Sequence, residues 1–343
     1  MRSGVVGGGY WGEKHVRVLD SLPEVQELVV VDPREEVRHR LQSQYPALRA
    51  FSSLTEALPH VDALTIATPP STHAQLAQRA MAAGCHVLVE KPLATTVEDA
   101  RRLTVCAKDA GVVLMVGHTF EYNASVTLLR DAVQSGDLGT VYFIDAARLN
   151  LGLYQRDVNV LWDLAPHDIS IMNYVLGSTP DTVQAWGSSH AHAFLEDVAY
   201  LRLEYKELDV VAQVHVSWLE PCKVRRMTVV GSERMAVFND LALEEPIRIY
   251  DKGLDVARGQ SGDSGEISYR SNGVYSPSVS GTEPLKAEVS HFLECIRNGA
   301  QPRSNGASGL GVVEVLAAAE ISLRERCPVE LASTNLEVIA NAS

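Results

Sequence analysis

The chain has 343 residues and a formal net charge of −13, from 43 acidic and 30 basic side chains. Apolar residues make up 46% and aromatic residues 6%, so aliphatic cores are affordable and the length predicts two domains. The acidic balance argues against a nucleic-acid partner, which needs a clustered basic face.

In chain order, the first third alternates strand-like and helix-like segments. Residues 3–7 read as a strand, Tyr10–Ser21 as a helix, 27–32 as a strand and Arg34–Ser43 as a polar helix. Residues 62–68 form a third strand, followed by a helix that Gly84 stops. Residues 86–90, Val97–Ala110 and 112–117 continue the pattern as strand, helix and strand. Buried strands alternating with helices predict βαβ units and a doubly wound parallel sheet, an α/β Rossmann domain over residues 1–121.

Beyond residue 122 the texture changes. Residues 140–149, 197–205, 208–219, 225–232 and 234–240 are successive strands, interrupted by one helix near Pro166–Leu176. They predict a second α/β domain, 122–343, with a large, mostly antiparallel open sheet. Residues 255–282, rich in Ser, Gly and charge, read as a long loop or frayed hairpin. Two closing helices follow, over 285–299 and 306–325, expected to pack back near the first domain.

The cysteines, Cys85, Cys106, Cys222, Cys295 and Cys327, show no CxxC spacing. Neither a disulfide framework nor a metal site is signalled, and buried free thiols are expected. The first residues enter a strand at once, and no apolar run reaches membrane-spanning length. A cytoplasmic protein without a membrane partner is the expectation.

Gly7, Gly9 and Gly12 stand in G-x-G-x-x-G spacing after a strand and at a helix start, with Asp32 ending the next strand. That context, and not the spacing alone, points to a dinucleotide. The first glycine permits the tight turn, the second the approach of a pyrophosphate, and the third close helix–strand packing. Tyr10 and Trp11 lie inside the turn. The Asp32 carboxylate suits ribose hydroxyls and repels a 2′-phosphate, which predicts NAD, with NADP less favoured. Arg34 is a candidate partner for a 2′-phosphate, or else a solvated helix-start residue.

Glu90 and Lys91 end a buried strand, where ligands of such sheets bind, and are expected to face the crevice. Pro92 keeps Lys91 out of helical geometry and is a candidate for a cis bond. A plain strand-end salt bridge is the competing reading. Asp163 and His167 form an i, i+4 pair. Proline is expected in a first helical turn, so Pro166 places Asp163 at the N-cap and His167 at the start of the second turn. A neutral imidazole there suits a general base, and ordinary capping is the competing reading. Tyr122, Arg148, Asn150 and Asn159 are candidate readers of sugar or phosphate groups.

The segment Ile66–Ala94 resembles the signature of the glucose-fructose oxidoreductase, inositol dehydrogenase and MocA family (Gfo/Idh/MocA), and Glu283–Leu323 is similar to that family's C-terminal segment. The resemblance implies a Rossmann domain followed by an α/β domain whose sheet supports homodimers or homotetramers. It implies that Lys91 contacts cofactor and substrate, and that Thr68, Pro69 and His73 lie near the nicotinamide half. The D-x-x-x-H of Asp163 and His167 matches the catalytic pair of the inositol dehydrogenases, with the histidine removing the hydroxyl proton. Residues 117–123, 148–152 and 157–168 look most like the UDP-N-acetylglucosamine 3-dehydrogenase-like branch. The expected function is an NAD-dependent dehydrogenase of a sugar or sugar-nucleotide secondary alcohol. An inositol or free monosaccharide dehydrogenase and a non-catalytic NAD or sugar sensor are the alternatives.

Overall fold

A computed structural model describes residues 1–152, 154, 158–256, 267–279 and 281–331. The chain separates into two compact units. The first comprises Met1–Tyr122 and Thr282–Glu314, the second Asn123–Gly281 and the chain from Val315 on.

The first unit runs β1 (Arg2–Val6), α1 (Tyr10–Asp20), β2 (Glu27–Val31), α2 (Glu35–Gln44), β3 (Arg49–Phe51), α3 (Leu54–Ala57), β4 (Ala63–Ile66), α4 (Pro70–Ala82), β5 (His86–Glu90), α5 (Val97–Ala110) and β6 (Leu114–Gly117). Its six strands are ordered β3-β2-β1-β4-β5-β6 and all pair in parallel. Valine, leucine and isoleucine in β1, β2, β4 and β5 are almost wholly buried, as strands covered on both faces require. The edge strand β3 is additional to the five expected. Three residues are too few to show alternation.

The second unit adds α6 (Ala124–Gln134), β7 (Val141–Leu149), α7 (Val160–Leu176), β8 (Thr182–Ser188), β9 (Val198–Tyr205), β10 (Val210–Ser217), β11 (Val224–Gly231), β12 (Met235–Asn239), β13 (Ile247–Val256) and β14 (Ile267–Tyr275). The chain closes with α8 (Pro284–Asn298), α9 (Gly306–Glu325) and β15 (Val329–Glu330). Nine strands, ordered β14-β13-β12-β11-β7-β10-β9-β8-β15, form a mixed sheet. Among the described residues of this sheet, only β7 and β10 pair in parallel. Within the expected loop or frayed hairpin, 255–282, Ile267–Tyr275 form strand β14, which pairs with β13, and residues 257–266 lie outside the described residues.

Strands β9 and β10 alternate buried and open residues, the signature of a sheet with one covered face. The apolar helix α7 packs against the covered face. On the open face Trp186, Tyr200 and His215 stack as a ladder, with ring centroids 4.1 and 3.9 Å apart.

Helix α8 falls in the first unit. Its Leu285, Val289, Phe292 and Leu293 share one core with Val5, Val16 and Val30. Helix α9 is long and apolar enough to cross a membrane by length and composition, contrary to the sequence expectation. More than half of its apolar window, 56%, is buried within the protein, as in the core helix of a folded domain. All five cysteines are free, and Cys222 and Cys327 are exposed, not buried.

Candidate active site

In the first unit, the turn after β1 brings Gly7 to φ +93°, a backbone region that side chains rarely adopt. At Gly12 a Cβ would overlap the Gly7 carbonyl oxygen, so this glycine closes the turn against the helix. Gly9 differs. A Cβ there would meet nothing within 4 Å, so nothing in the packing demands glycine. Gly9 is also the N-cap of α1 and makes no side-chain cap bond, which leaves the first-turn N–H groups for an anion. An open glycine and an uncapped helix start fit the pyrophosphate of a dinucleotide. Tyr10 and Trp11 are the first two residues of α1, 74% and 39% exposed. Their rings flank the Lys14 ammonium at 4.2 and 4.6 Å.

Asp32, at the end of β2, is buried and fully engaged. Gly8 N–H donates to its Oδ2 at 2.8 Å. Arg34 donates Nε to Oδ1 and Nη2 to Oδ2, each at 2.9 Å. Burial alone would raise this carboxyl's pKa. The hydrogen bonds from Arg34 and Gly8, and the Arg34 charge, outweigh it and hold the group below the usual range. Arg34 is therefore an ion-pair partner of Asp32 and not simply a solvated helix-start residue.

The peptide bond between Lys91 and Pro92 is cis. Lys91 is half-buried. Glu90 does not face outward with it, as the sequence reading expected. Its carboxylate turns inward, where His15 Nε2 lies 2.8 Å from Oε1. Burial would raise the Glu90 pKa, but the His15 hydrogen bond and the charges of His15, Lys91 and His73 lower it overall. His73 is fully buried, with Nδ1 2.8 Å from the Pro92 carbonyl oxygen and Nε2 2.9 Å from that of Thr68. Burial lowers its pKa against those two bonds. It ties the β4–α4 turn, Thr68 and Pro69, to the proline beside Lys91.

In the second unit, α7 starts at Val160, earlier than its sequence suggested. Asn159, not Asp163, is the N-cap, and its Oδ1 accepts Trp162 N–H at 3.3 Å. The Asn159 amide donates in turn to Glu196 at 2.9 Å. Pro166 lies inside the helix, not in its first turn. Proline there lacks the N–H of a helical hydrogen bond, a cost that the apolar packing of α7 on nearly every side outweighs. Between Val160 and Met172 only Asp163, Leu164 and His167 are not buried. Spaced i, i+1 and i+4, they form one strip, so Asp163 and His167 share a helix face. Trp218, just after β10, donates its indole N–H to Asp163 Oδ2 at 3.1 Å. Tyr154 packs on Trp218 with ring centroids 4.7 Å apart. Asn150, at the end of β7, holds a buried Oδ1 with no partner among the described residues. The sequence reading missed Trp218 and Tyr154. The signal was a tryptophan directly after a strand, next to the end of another.

Asn159, expected to read a sugar, is instead buried, with its amide oxygen on the helix start and its amide nitrogen on Glu196. Two more candidates occupy places unlike those expected. Arg148 is buried and donates Nε and Nη2 to the two oxygens of Asp168, at 2.8 and 3.0 Å. Both groups are spent pinning α7 to the sheet, and Arg148 presents no exposed guanidinium to a phosphate. Tyr122 is buried in the core of the first unit, with its hydroxyl 3.1 Å from Ser304 Oγ. It does not face a ligand site. Of the other basic residues, Arg225 pairs with Asp240 at 3.0 Å, Arg226 lines the open sheet face, and Arg156 lies outside the described residues. No group of three or more His, Cys, Asp or Glu among the described residues is arranged to hold a metal.

Residues 1–118 match the family model for the oxidoreductase family with NAD-binding Rossmann fold, and residues 126–237 match that of the GFO/IDH/MocA C-terminal domain. The chain is 29% identical over 333 residues to UDP-N-acetylglucosamine 3-dehydrogenase of Acidithiobacillus ferrooxidans, covering 96% of this chain and 97% of the relative. A solved structure of the enzyme of that name and organism superposes with a TM-score of 0.79 at 26% identity, over 95% of this chain and 98% of the other. The inositol 2-dehydrogenase of Rhizobium meliloti is 23% identical over 344 residues, 97% of this chain and 99% of the relative.

Proposed function

Since the chain belongs to the Gfo/Idh/MocA oxidoreductase family, we propose that this NAD-dependent enzyme oxidises a secondary alcohol of a UDP-linked amino sugar, at its 3-hydroxyl, to the ketone. The observation that carries the chemistry is the open strip of α7. A helix otherwise buried from Val160 to Met172 leaves Asp163, Leu164 and His167 unburied, and two of the three can handle protons. The UDP-sugar reading leans on the likeness to the UDP-N-acetylglucosamine 3-dehydrogenase along nearly its whole length.

NAD, when bound, supplies the two-electron acceptor for the hydride. The turn at Gly7, Gly9 and Gly12, with the first-turn amides of Tyr10 and Trp11, holds its pyrophosphate, and Asp32 its adenosine ribose. His167 takes the proton of the reacting hydroxyl. Lys91 donates a hydrogen bond to that oxygen and keeps the substrate in register. Asp163, fixed by Trp218, keeps the His167 face of α7 in place. A positioned base contributes about 10²–10⁴-fold. Asn150, whose Oδ1 has no partner among the described residues, is a reader of sugar hydroxyls or an acetamido group. The first unit, which includes Thr282–Glu314 as well as Met1–Tyr122, serves as the dinucleotide domain, and the second as the substrate and assembly domain.

A free inositol is the second reading. The burial of Arg148 favours it, because the cation expected to meet a diphosphate is spent on Asp168. A sensor without turnover is the third, and an enzyme that reduces NAD excludes it. The setting is a cytoplasmic homodimer or homotetramer, joined through the open sheet face with its Trp186, Tyr200 and His215 ladder. The test is a panel of UDP-sugars, free sugars and inositols followed by NADH absorbance. Turnover of UDP-N-acetylglucosamine above the rest supports the reading, and turnover confined to free inositols replaces it with the second.

A further inference from the structure

Several buried titratable groups of the first unit have no part in the chemistry above: His15, Glu90, His118, Glu121 and Glu288. Two of them, His15 and Glu90, are arranged in a way that bears on Lys91.

His15 lies on the buried face of α1, with no solvent exposure. Its Nε2 meets Glu90 Oε1 at 2.8 Å, while Oε2 of the same carboxylate accepts the Lys91 backbone N–H at 3.2 Å. Each carboxylate oxygen of Glu90 thus has one hydrogen-bond donor, one from α1 and one from the lysine. Glu90 is also paired with Gly117 across the β5–β6 ladder. A Cβ on Gly117 would stand 3.1 Å from Glu90 Oε2 and 3.2 Å from its Cα, so the carboxylate lies flat on that glycine. The side chain packs on that glycine, and His15 holds its far oxygen. The helix that carries His15 is the one whose N-terminus forms the glycine turn.

We propose that His15 is a positioning residue of this enzyme, acting on Lys91 through Glu90 and so registering the lysine against the helix that carries the dinucleotide turn. The roles of Lys91 and of the turn rest on the proposed function. The surroundings leave this task to His15. Glu90 faces His73, His118, Glu288 and Lys91. Burial keeps His118 neutral, its pKa pushed down to about 4, and pushes Glu288 well above the carboxylate range. Glu288 bonds to Thr119 at 2.9 Å, and His73 to the two carbonyls. A charged, buried Glu90 that lost the His15 hydrogen bond would take a proton or turn away. Either change removes the fixed anion beside Lys91.

The test uses full-length protein with His15→Leu, His15→Gln and Glu90→Gln. Glutamine carries an N–H close to where imidazole Nε2 lies, so it is the conservative replacement at His15. Two readouts are taken: kcat and KM with UDP-N-acetylglucosamine and NAD, and acetic anhydride labelling of Lys91 with and without NADH, read by peptide mass. For His15→Leu and Glu90→Gln, kcat falls by about tenfold or more, as expected for a lost hydrogen bond to a charge. NADH affinity stays within about threefold of the parent. NADH protection of Lys91 from acetylation is lost in both, and His15→Gln restores kcat and protection together. Should UDP-N-acetylglucosamine give no turnover even with the parent protein, the substrate reading fails and the labelling decides alone. The proposal is overturned if His15→Leu keeps Lys91 protection, if glutamine rescues no better than leucine, or if NADH affinity falls along with protection. The last result marks His15 as part of the general scaffold.

Discussion

Arg34 folds back on Asp32 and takes both oxygens of its carboxylate, with Nε and Nη2 each 2.9 Å away. The residue best placed to attract a 2′-phosphate is thereby tied to the residue that repels one. A ribose diol competes with Arg34 for the same carboxylate. The expected outcome is tighter binding of NADH than of NADPH in fluorescence titrations. Asp32→Ala weakens NADH by about tenfold or more, the worth of a hydrogen bond to a charged group, and narrows the gap because it frees Arg34. Arg34→Ala keeps or tightens NADH binding and weakens NADPH further. Equal losses of both cofactors in Arg34→Ala would show that the arginine only supports the turn.

Gly9 and Gly12 are glycines for different reasons, and a pair of alanine variants separates them. Gly12→Ala drives a Cβ into the Gly7 carbonyl and destabilises the fold. Gly9→Ala has open space around it, so its melting temperature stays at that of the parent while NADH affinity drops. Gly9→Ala with normal NADH binding would remove the pyrophosphate from this turn.

Arg148 and Asp168 form a buried, two-bond ion pair between β7 and α7. Truncating either partner strands the other charge, at a cost of about 3–5 kcal/mol. Arg148→Ala and Asp168→Ala are each expected to lower the unfolding free energy from urea titration by that amount, and the double variant by less than the sum of the two. The binding role first read for Arg148 predicts the opposite pattern: a raised KM with an unchanged midpoint.

Two buried groups set opposite limbs of the stability–pH curve. Burial lowers His118 from 6.5 to about 4. The unfolded chain takes that proton first, so this contribution is present above 6.5 and lost as pH falls toward 4. Burial, opposed by the Arg303 charge, raises Glu121 from 4.5 to about 8. Its contribution is full below 4.5 and lost as pH rises toward 8, on the order of a few kcal/mol in all. Thermal melts across this range should rise and then fall. Glu121→Gln flattens the alkaline limb and raises the melting temperature near pH 8. Glu288, shifted in the same direction, retains part of that limb. An unchanged alkaline slope in Glu121→Gln would show that its carboxyl is not held neutral.

The parts of the site that follow from local spacing were legible in the sequence. The glycine turn, Asp32 after β2 and the i, i+4 pair of Asp163 and His167 each lie within one βα unit or one helix. What was not legible depends on distant partners. Glu90 looks like an outward strand-end charge until His15, 75 residues away, supplies a buried donor. Arg148 reads as a ligand-binding cation until Asp168, 20 residues on, meets it across the sheet–helix interface. Pro166 misplaced the start of α7 because the burial of apolar side chains along that helix outweighs the local cost of an interior proline. Strand β3 was too short to announce itself.

The central claim is that Lys91 and His167 carry the chemistry while the glycine turn and Asp32 hold the dinucleotide. The most direct test is turnover of UDP-N-acetylglucosamine by Lys91→Ala and His167→Ala at saturating NAD, with NADH affinity measured on the same samples. The account predicts that both variants bind NADH within about threefold of the parent and lose about 10²-fold or more in kcat. Near-parental kcat in either variant, with the parent active, would contradict it.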